Sequence, residues 1–242
     1  MIYDSLSQVY DLFTEDFDYP LWAEKYIELL HSKTRSVEEI CDVGCGTGSI
    51  LLEFMKRGLK VTGLDISEGM LMAAREKAMD SGFAPLLLRQ DMREMRLAHR
   101  VDALVCVCDG INYLKTEKGA EAFFDRAFDS VKPGGAFAFD FSSEEKLIGL
   151  ADIGLFAEEK DRAAYTLFCS REDRLVEMDL RLFVQLENGL YRRFAEKHSQ
   201  RIWKPDEITA MLERAGFTDI TIEHADLRGF GGDRIFVACI RP

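Results

Sequence analysis

The stretch EEICDVGCGTGSI, residues 38–50, does most to limit what this chain can fold into. A short apolar run ends near Asp42 and gives way to glycines at 44, 46 and 48, after which a helical pattern begins. Glycine adopts left-handed backbone angles without steric cost and lets the main chain come close to a ligand. A strand, a tight glycine turn and a helix in that order make the opening unit of a parallel α/β sheet. The spacing separates this loop from two phosphate cradles. A dinucleotide fingerprint puts its third glycine three positions after the second, where Ser49 stands here, and a P-loop ends in Gly-Lys-Ser/Thr, which is missing.

Periodicity extends the alternation. It predicts strands near 37–43, 59–64, 85–88, 101–107 and 135–141, with helices near 48–56, 67–80 and 116–130. Residues 4–13 and 18–33 read as preceding helices. From residue 158 the runs AAYTLFCSRE, RLVEMDLRLFVQLE and YRRFAEKHSQRIW alternate with period two, and Asn188-Gly189 reads as a type I′ hairpin turn. A helix returns at KPDEITAMLERAG. The last two strands, GFTDITIEH and DRIFVACIRP, are joined by about ten residues without helical pattern (224–233). That is too short for a parallel crossover, so the final strand should be reversed. The expected fold is α/β, a doubly wound, seven-stranded, mostly parallel sheet with a reversed last strand and a small antiparallel insertion. The expected organisation is an N-terminal helical cap (1–34), a cofactor-binding core (35–157 and 204–242) and an insertion over the acceptor site (158–203).

Composition sets outer limits. A chain of 242 residues has room for one sizeable core. Its net charge of −12 argues against a generic nucleic-acid surface without excluding one, and the basic run YRRFAEKHSQRIWK reads as a solvated strand face. No apolar stretch reaches the length of a membrane span, and the acidic start lacks the basic and apolar regions of a signal peptide. A soluble cytoplasmic protein, monomer or homodimer, is the expectation. The six cysteines show neither a CxxC pair nor a Cys/His cluster at zinc spacing, so reduced thiols and no metal site are expected.

In open α/β sheets the ligand sits outside the carboxyl ends of the strands. The residues placed there form a series: Asp42 and the glycines after the first strand, Asp65 after the second, Asp91-Met92 after the third and CDGINYL after the fourth. Asp65 lies seventeen residues beyond Gly48, where a carboxylate can accept hydrogen bonds from ribose hydroxyls. Taken together, EEICDVGCGTGSILLEF, VTGLDISEGMLMAAREK, LLLRQDMREM and VKPGGAFAFDF resemble the motifs of class I S-adenosylmethionine-dependent methyltransferases over nearly the whole chain. The YD segment, DMR, YL and the insertion look most like the small-molecule N-methyltransferases of the glycine and amino-sugar type.

The resemblance implies a transferase with the Rossmann-like methyltransferase fold, with S-adenosylmethionine as cofactor and S-adenosylhomocysteine as product. It implies that Gly44 and Gly46, with Cys45 between them, approach the methionine portion, that Asp42 supports its amino group and that Asp65 holds the ribose. Ile66 would pack on the adenine, Asp91 bond its amino group and Met92 add apolar contact. Cys108 would offer its backbone carbonyl, and Tyr3 or Tyr10 would close over the cofactor. On the acceptor side the candidates are Asp109, Asn112 and Tyr113, each with a competing role in capping or core packing. His198 is the one histidine placed to reach an acceptor pocket, and a structural role competes there too. The expected reaction moves a methyl group to N or O of a small-molecule acceptor. An RNA or protein acceptor, or a non-catalytic cofactor-binding subunit, are the alternatives.

Overall fold

A computed structural model of the chain describes residues 10–14, 17–225 and 233–242. Two short N-terminal helices, α1 (Tyr10–Phe13) and α2 (Tyr19–His31), precede the sheet. The alternation then runs β1 (Glu39–Val43), α3 (Ser49–Lys56), β2 (Lys60–Asp65), α4 (Glu68–Asp80), β3 (Leu86–Arg89), β4 (Val101–Cys106), α5 (Glu117–Ser130) and β5 (Val131–Ser142). After α6 (Glu144–Ile153) come β6 (Leu155–Lys160), β7 (Ala163–Glu172), β8 (Leu175–Gln185) and β9 (Tyr191–Arg201), and the chain closes with α7 (Pro205–Ala215), β10 (Thr218–Ala225) and β11 (Arg234–Ile240).

Seven strands form the main sheet in the order β10-β11-β5-β4-β1-β2-β3. β1 pairs in parallel with both β2 and β4, whereas β11 runs antiparallel to β5 and to β10. The reversed last strand is thus present. Because β1 and β4 are neighbours although β2 and β3 lie on the other side of β1, the strand order switches there. The carboxyl ends of β1 and β4 open the crevice that such a switch creates.

Helix starts are set by local chemistry. Ser67 accepts from the Met70 N–H at the head of α4, and Thr116 does the same for Gly119 at the head of α5. β5 shows how sequence alternation becomes packing. Its Phe137, Phe139 and Phe141 face one core with Phe123, Phe124 and Trp203, while Ala136 and Ala138 face the other. The small alanines make room for Trp22 and Tyr26 of α2, both fully buried. Trp22 is therefore a core residue and not a cover for the crevice.

The second sheet has four antiparallel strands in the order β6-β7-β8-β9. It begins at Leu155 and ends at Arg201, and α6 packs Leu147, Ile148, Leu150 and Ala151 onto its apolar face. Periodicity reveals neither α6 nor β6. The hairpin between β8 and β9 also differs from the type I′ turn. Gly189 has φ +79° but Asn188 is not in the left-handed region, and the N–H groups of Gly189 and Leu190 are held by Leu186 O (2.9 Å) and Asn188 Oδ1 (3.1 Å). A three-residue loop with one left-handed glycine results, since type I′ needs positive φ at both central positions.

Candidate active site

The strand ends of β1, β2 and β4 surround a cleft of about 540 Å³, within the range of small-molecule and cofactor sites. Its wall includes Asp42, Gly44, Cys45, Gly46, Asp65, Ile66, Asp91, Met92, Cys108 and Tyr113, together with Tyr10 and Tyr19. Of the candidate cofactor and acceptor residues, Asp109 and Asn112 do not line the cleft. Tyr3 lies outside the described residues.

The floor is the glycine turn. Gly44 and Gly46 have φ of +74° and +55°, and a side-chain carbon added at Gly46 would meet no atom of the described residues within 4 Å. Gly48, at φ +76°, is different: a carbon there would lie 2.9 Å from the Ala74 side chain of α4. The first two glycines face the cleft, whereas the third lets α3 and α4 approach.

Asp65 ties the turn to β2. Its carboxylate accepts from the Gly46 N–H (2.9 Å) and the Ser67 N–H (2.8 Å). Asp42, near the end of β1, is 1% exposed, and neither of its carboxylate oxygens has a hydrogen-bond partner among the described residues. Burial, with the Asp65 charge second, pushes the Asp42 carboxyl up to about 7. A buried carboxylate in this position is costly until a cation or donor meets it.

Asp91 caps a short 3-10 turn (Met92–Glu94) and grips Arg93, whose guanidinium holds the carboxyl below its usual range. Ile66 stands half exposed at the cleft wall, as a face for an aromatic ring would require. The N-terminal helix is latched over this floor. Asp11 accepts from Thr47 Oγ1 at 2.7 Å and pairs with Lys77 at 2.7 Å, and Lys77 also donates to Ser49. Nothing in the local sequence signals that latch. It places Tyr10 and Tyr19 against the cleft, where burial raises both phenols above their ordinary value.

Two acceptor-side candidates are occupied elsewhere. Asn112 is fully buried; its amide donates to Arg201 O (2.9 Å) and accepts from the Ser142 N–H (2.9 Å), tying the two sheets together. Asp109 is bound by Arg234 and by Ser142 Oγ at 2.7 Å. Tyr113 alone of the three lines the cleft. His198 does not reach it. The ring is 5% exposed and stands edge-on behind Tyr113 at 6.2 Å between centroids, with Glu196 Oε2 3.6 Å from Nε2. Burial lowers its pKa, so the ring is neutral near pH 7. β4 ends at Cys106, and Cys108 takes φ +63° beyond it. All six cysteines are free thiols, and no group of metal-ligating side chains occurs among the described residues.

Comparisons with known proteins agree with this geometry. Residues 40–135 match the model of a methyltransferase domain family. A Bacillus subtilis (strain 168) relative named as a methyltransferase, YqeM, is 37% identical, over 90% of this chain and 87% of its own. A Streptomyces venezuelae dTDP-3-amino-3,4,6-trideoxy-alpha-D-glucopyranose N,N-dimethyltransferase is 28% identical over 87% of this chain and 89% of its own. Among solved structures, an S-adenosylmethionine-dependent methyltransferase from Clostridium acetobutylicum ATCC 824 superposes with a TM-score of 0.80 at 26% identity, covering 98% of both chains. The glycine turn, the strand order and these likenesses along nearly the full length agree, and the chain belongs to the S-adenosylmethionine-dependent methyltransferases.

Proposed function

We propose that the protein methylates an amine nitrogen of a small-molecule acceptor. The observation that carries this reading is the match, over most of both chains, to an enzyme that dimethylates an amino sugar. The cleft lining favours it over a nucleic-acid acceptor. Among the described residues, the basic side chains of the wall are Arg93 and Lys115, and Arg93 is already paired with Asp91. No helix among the described residues is long and apolar enough to cross a membrane, and six free thiols suit a reducing cytoplasm.

The residues fit the cofactor on grounds independent of the relatives. Among the described residues, Asp42 offers two buried, unpartnered carboxylate oxygens to an ammonium, and the space over Gly46 is open. In this reading Asp42 holds the amino group, Asp65 the ribose hydroxyls, Ile66 and Met92 the faces of the adenine and Asp91 its edge. The Cys108 backbone completes the amino-group site, and Tyr10 and Tyr19 close the cleft against water.

When bound, the cofactor would supply an electrophilic methyl carbon to an in-line nucleophile, with the thioether of S-adenosylhomocysteine as the leaving group. The protein's share is alignment and exclusion of water, for which effective molarities of about 10⁵ M or more are available. Tyr113 lines the cleft with Cys108 and Gly110 in the segment after β4 and orients the acceptor there.

Isothermal titration and a labelled-methyl assay test the reading together. Wild-type protein should bind S-adenosylhomocysteine and transfer label to a pool of small amines and amino sugars but not to RNA. Transfer to RNA alone would overturn the acceptor class. Asp65→Ala should weaken cofactor binding about 100-fold or more, because two charge-assisted hydrogen bonds at about 1.5 kcal/mol each are lost. Unchanged affinity would remove Asp65 from the ribose site.

A further inference from the structure

One residue beyond β4, two consecutive non-glycine residues, Cys108 and Asp109, take φ of +63° and +66°. L-residues avoid this region, and a pair of them persists only when the surroundings over-determine it. The surroundings here are a buried ionic knot. Asp140, fully buried on the small-residue face of β5, accepts from the Cys108 N–H at 2.8 Å and the Asp109 N–H at 3.4 Å. Arg234, at the head of β11 and 1% exposed, grips Asp109 with both terminal nitrogens (2.6 and 2.9 Å) and also binds Asp140. Ser142 Oγ donates to Asp109, and the Tyr26 hydroxyl donates to Asp140 at 2.5 Å.

The two sides of this turn do different things. Asp109 points its carboxylate into the knot, while its neighbours Cys108 and Gly110 form part of the cleft wall. Asp109, Asp140 and Arg234 themselves stand outside that wall. A scaffold alone would not require the strained turn: an ordinary turn or a glycine would link β4 to the next element.

We propose that Arg234 is a positioning residue for the cofactor site. Its guanidinium joins Asp109 and Asp140 and so holds the Cys108–Asp109 turn in the left-handed conformation that presents the Cys108 backbone to the cleft. This rests on the reading of the cleft as the S-adenosylmethionine site. Lysine cannot reproduce the fork, because it is a point charge without fixed bidentate geometry.

A double-mutant cycle on S-adenosylhomocysteine binding tests it, since contacting residues couple and independent ones do not. Arg234→Lys should weaken binding about tenfold in the wild-type background. In a Cys108→Gly background, where glycine reaches the left-handed region freely, the same substitution should cost about threefold or less. Equal loss in both backgrounds, or no loss in either, would overturn the proposal, since a purely structural arginine gains nothing from glycine at 108. If Arg234→Lys fails to give a native circular dichroism spectrum, Asp109→Asn replaces it in the same cycle with the same expectation. Arg234 then keeps Asp140 as partner, and asparagine tolerates the left-handed region. Absence of binding by the wild-type protein would refute the cofactor reading instead, so the two failures are distinct.

Discussion

Asp42→Asn is expected to stabilise the ligand-free protein above pH 7 while weakening S-adenosylmethionine binding about 100-fold. The Asp42 carboxyl titrates near 7 in the fold because it is buried and faces the Asp65 charge. In the unfolded chain it titrates near its ordinary value of about 3.9. The folded state therefore holds this proton more tightly, and the group costs stability as pH rises from about 4 to 7, with the full cost above 7. At about 1.4 kcal/mol for each pH unit between the two values, that full cost is at most about 4 kcal/mol. Asparagine removes the ionisation but leaves a buried amide worth roughly 1–3 kcal/mol of penalty. A net gain of about 2 kcal/mol at pH 8 would raise Tm by about 5 °C, and the gain should vanish at pH 5. Binding should move oppositely if, as proposed, Asp42 supplies the charge that meets the ligand's ammonium. For the wild type, affinity should rise about fivefold from pH 6 to 7, as Asp42 ionises while the ligand's α-amino group, titrating near 8, keeps its proton. Thermal melts at pH 5 and 8 and titrations at pH 6 and 7 check this. A variant with lower Tm at pH 8 and unaltered affinity would show that Asp42 faces no cation.

The sheet was legible because its constraints are local. Glycines and aspartates mark the ends of β1 to β3, and the short β10–β11 connection forces the reversal. The ionic knot was not legible. Arg234 is 125 residues from Asp109 and 94 from Asp140, and each reads alone as a strand end or a cap. One clue existed, since Asp140 interrupts the apolar run AFAFDF, where a buried charge must find a partner. Chain position puts Asp109 and Asn112 beside the cleft, yet side-chain direction sends them into the scaffold. The helix α6 leaves little trace in periodicity because it is only ten residues long and carries Gly149 within its apolar stripe.

The glycine turn itself separates ligand contact from packing, and alanine at two of its positions should expose the difference. At Gly46, alanine takes a left-handed angle at a cost of about 1–2 kcal/mol and meets no atom of the described residues within 4 Å. In the proposed site its methyl points into the volume the methionine portion would occupy, so binding should fall about 100-fold while Tm falls only about 5 °C. At Gly48 the same angular cost applies, and the added carbon sits 2.9 Å from the Ala74 side chain and 3.3 Å from its Cα. Neither atom belongs to a flexible chain end, so α3 and α4 must separate, an overpacking cost of about 1–3 kcal/mol. Together these give about 2–5 kcal/mol and a Tm loss of about 10 °C, with binding at low temperature reduced much less than for Gly46→Ala. Melting curves and titrations on both variants decide the matter. Were Gly48→Ala to lose binding and keep its Tm, the third glycine would belong to the cofactor floor, and α4 would not be what requires it.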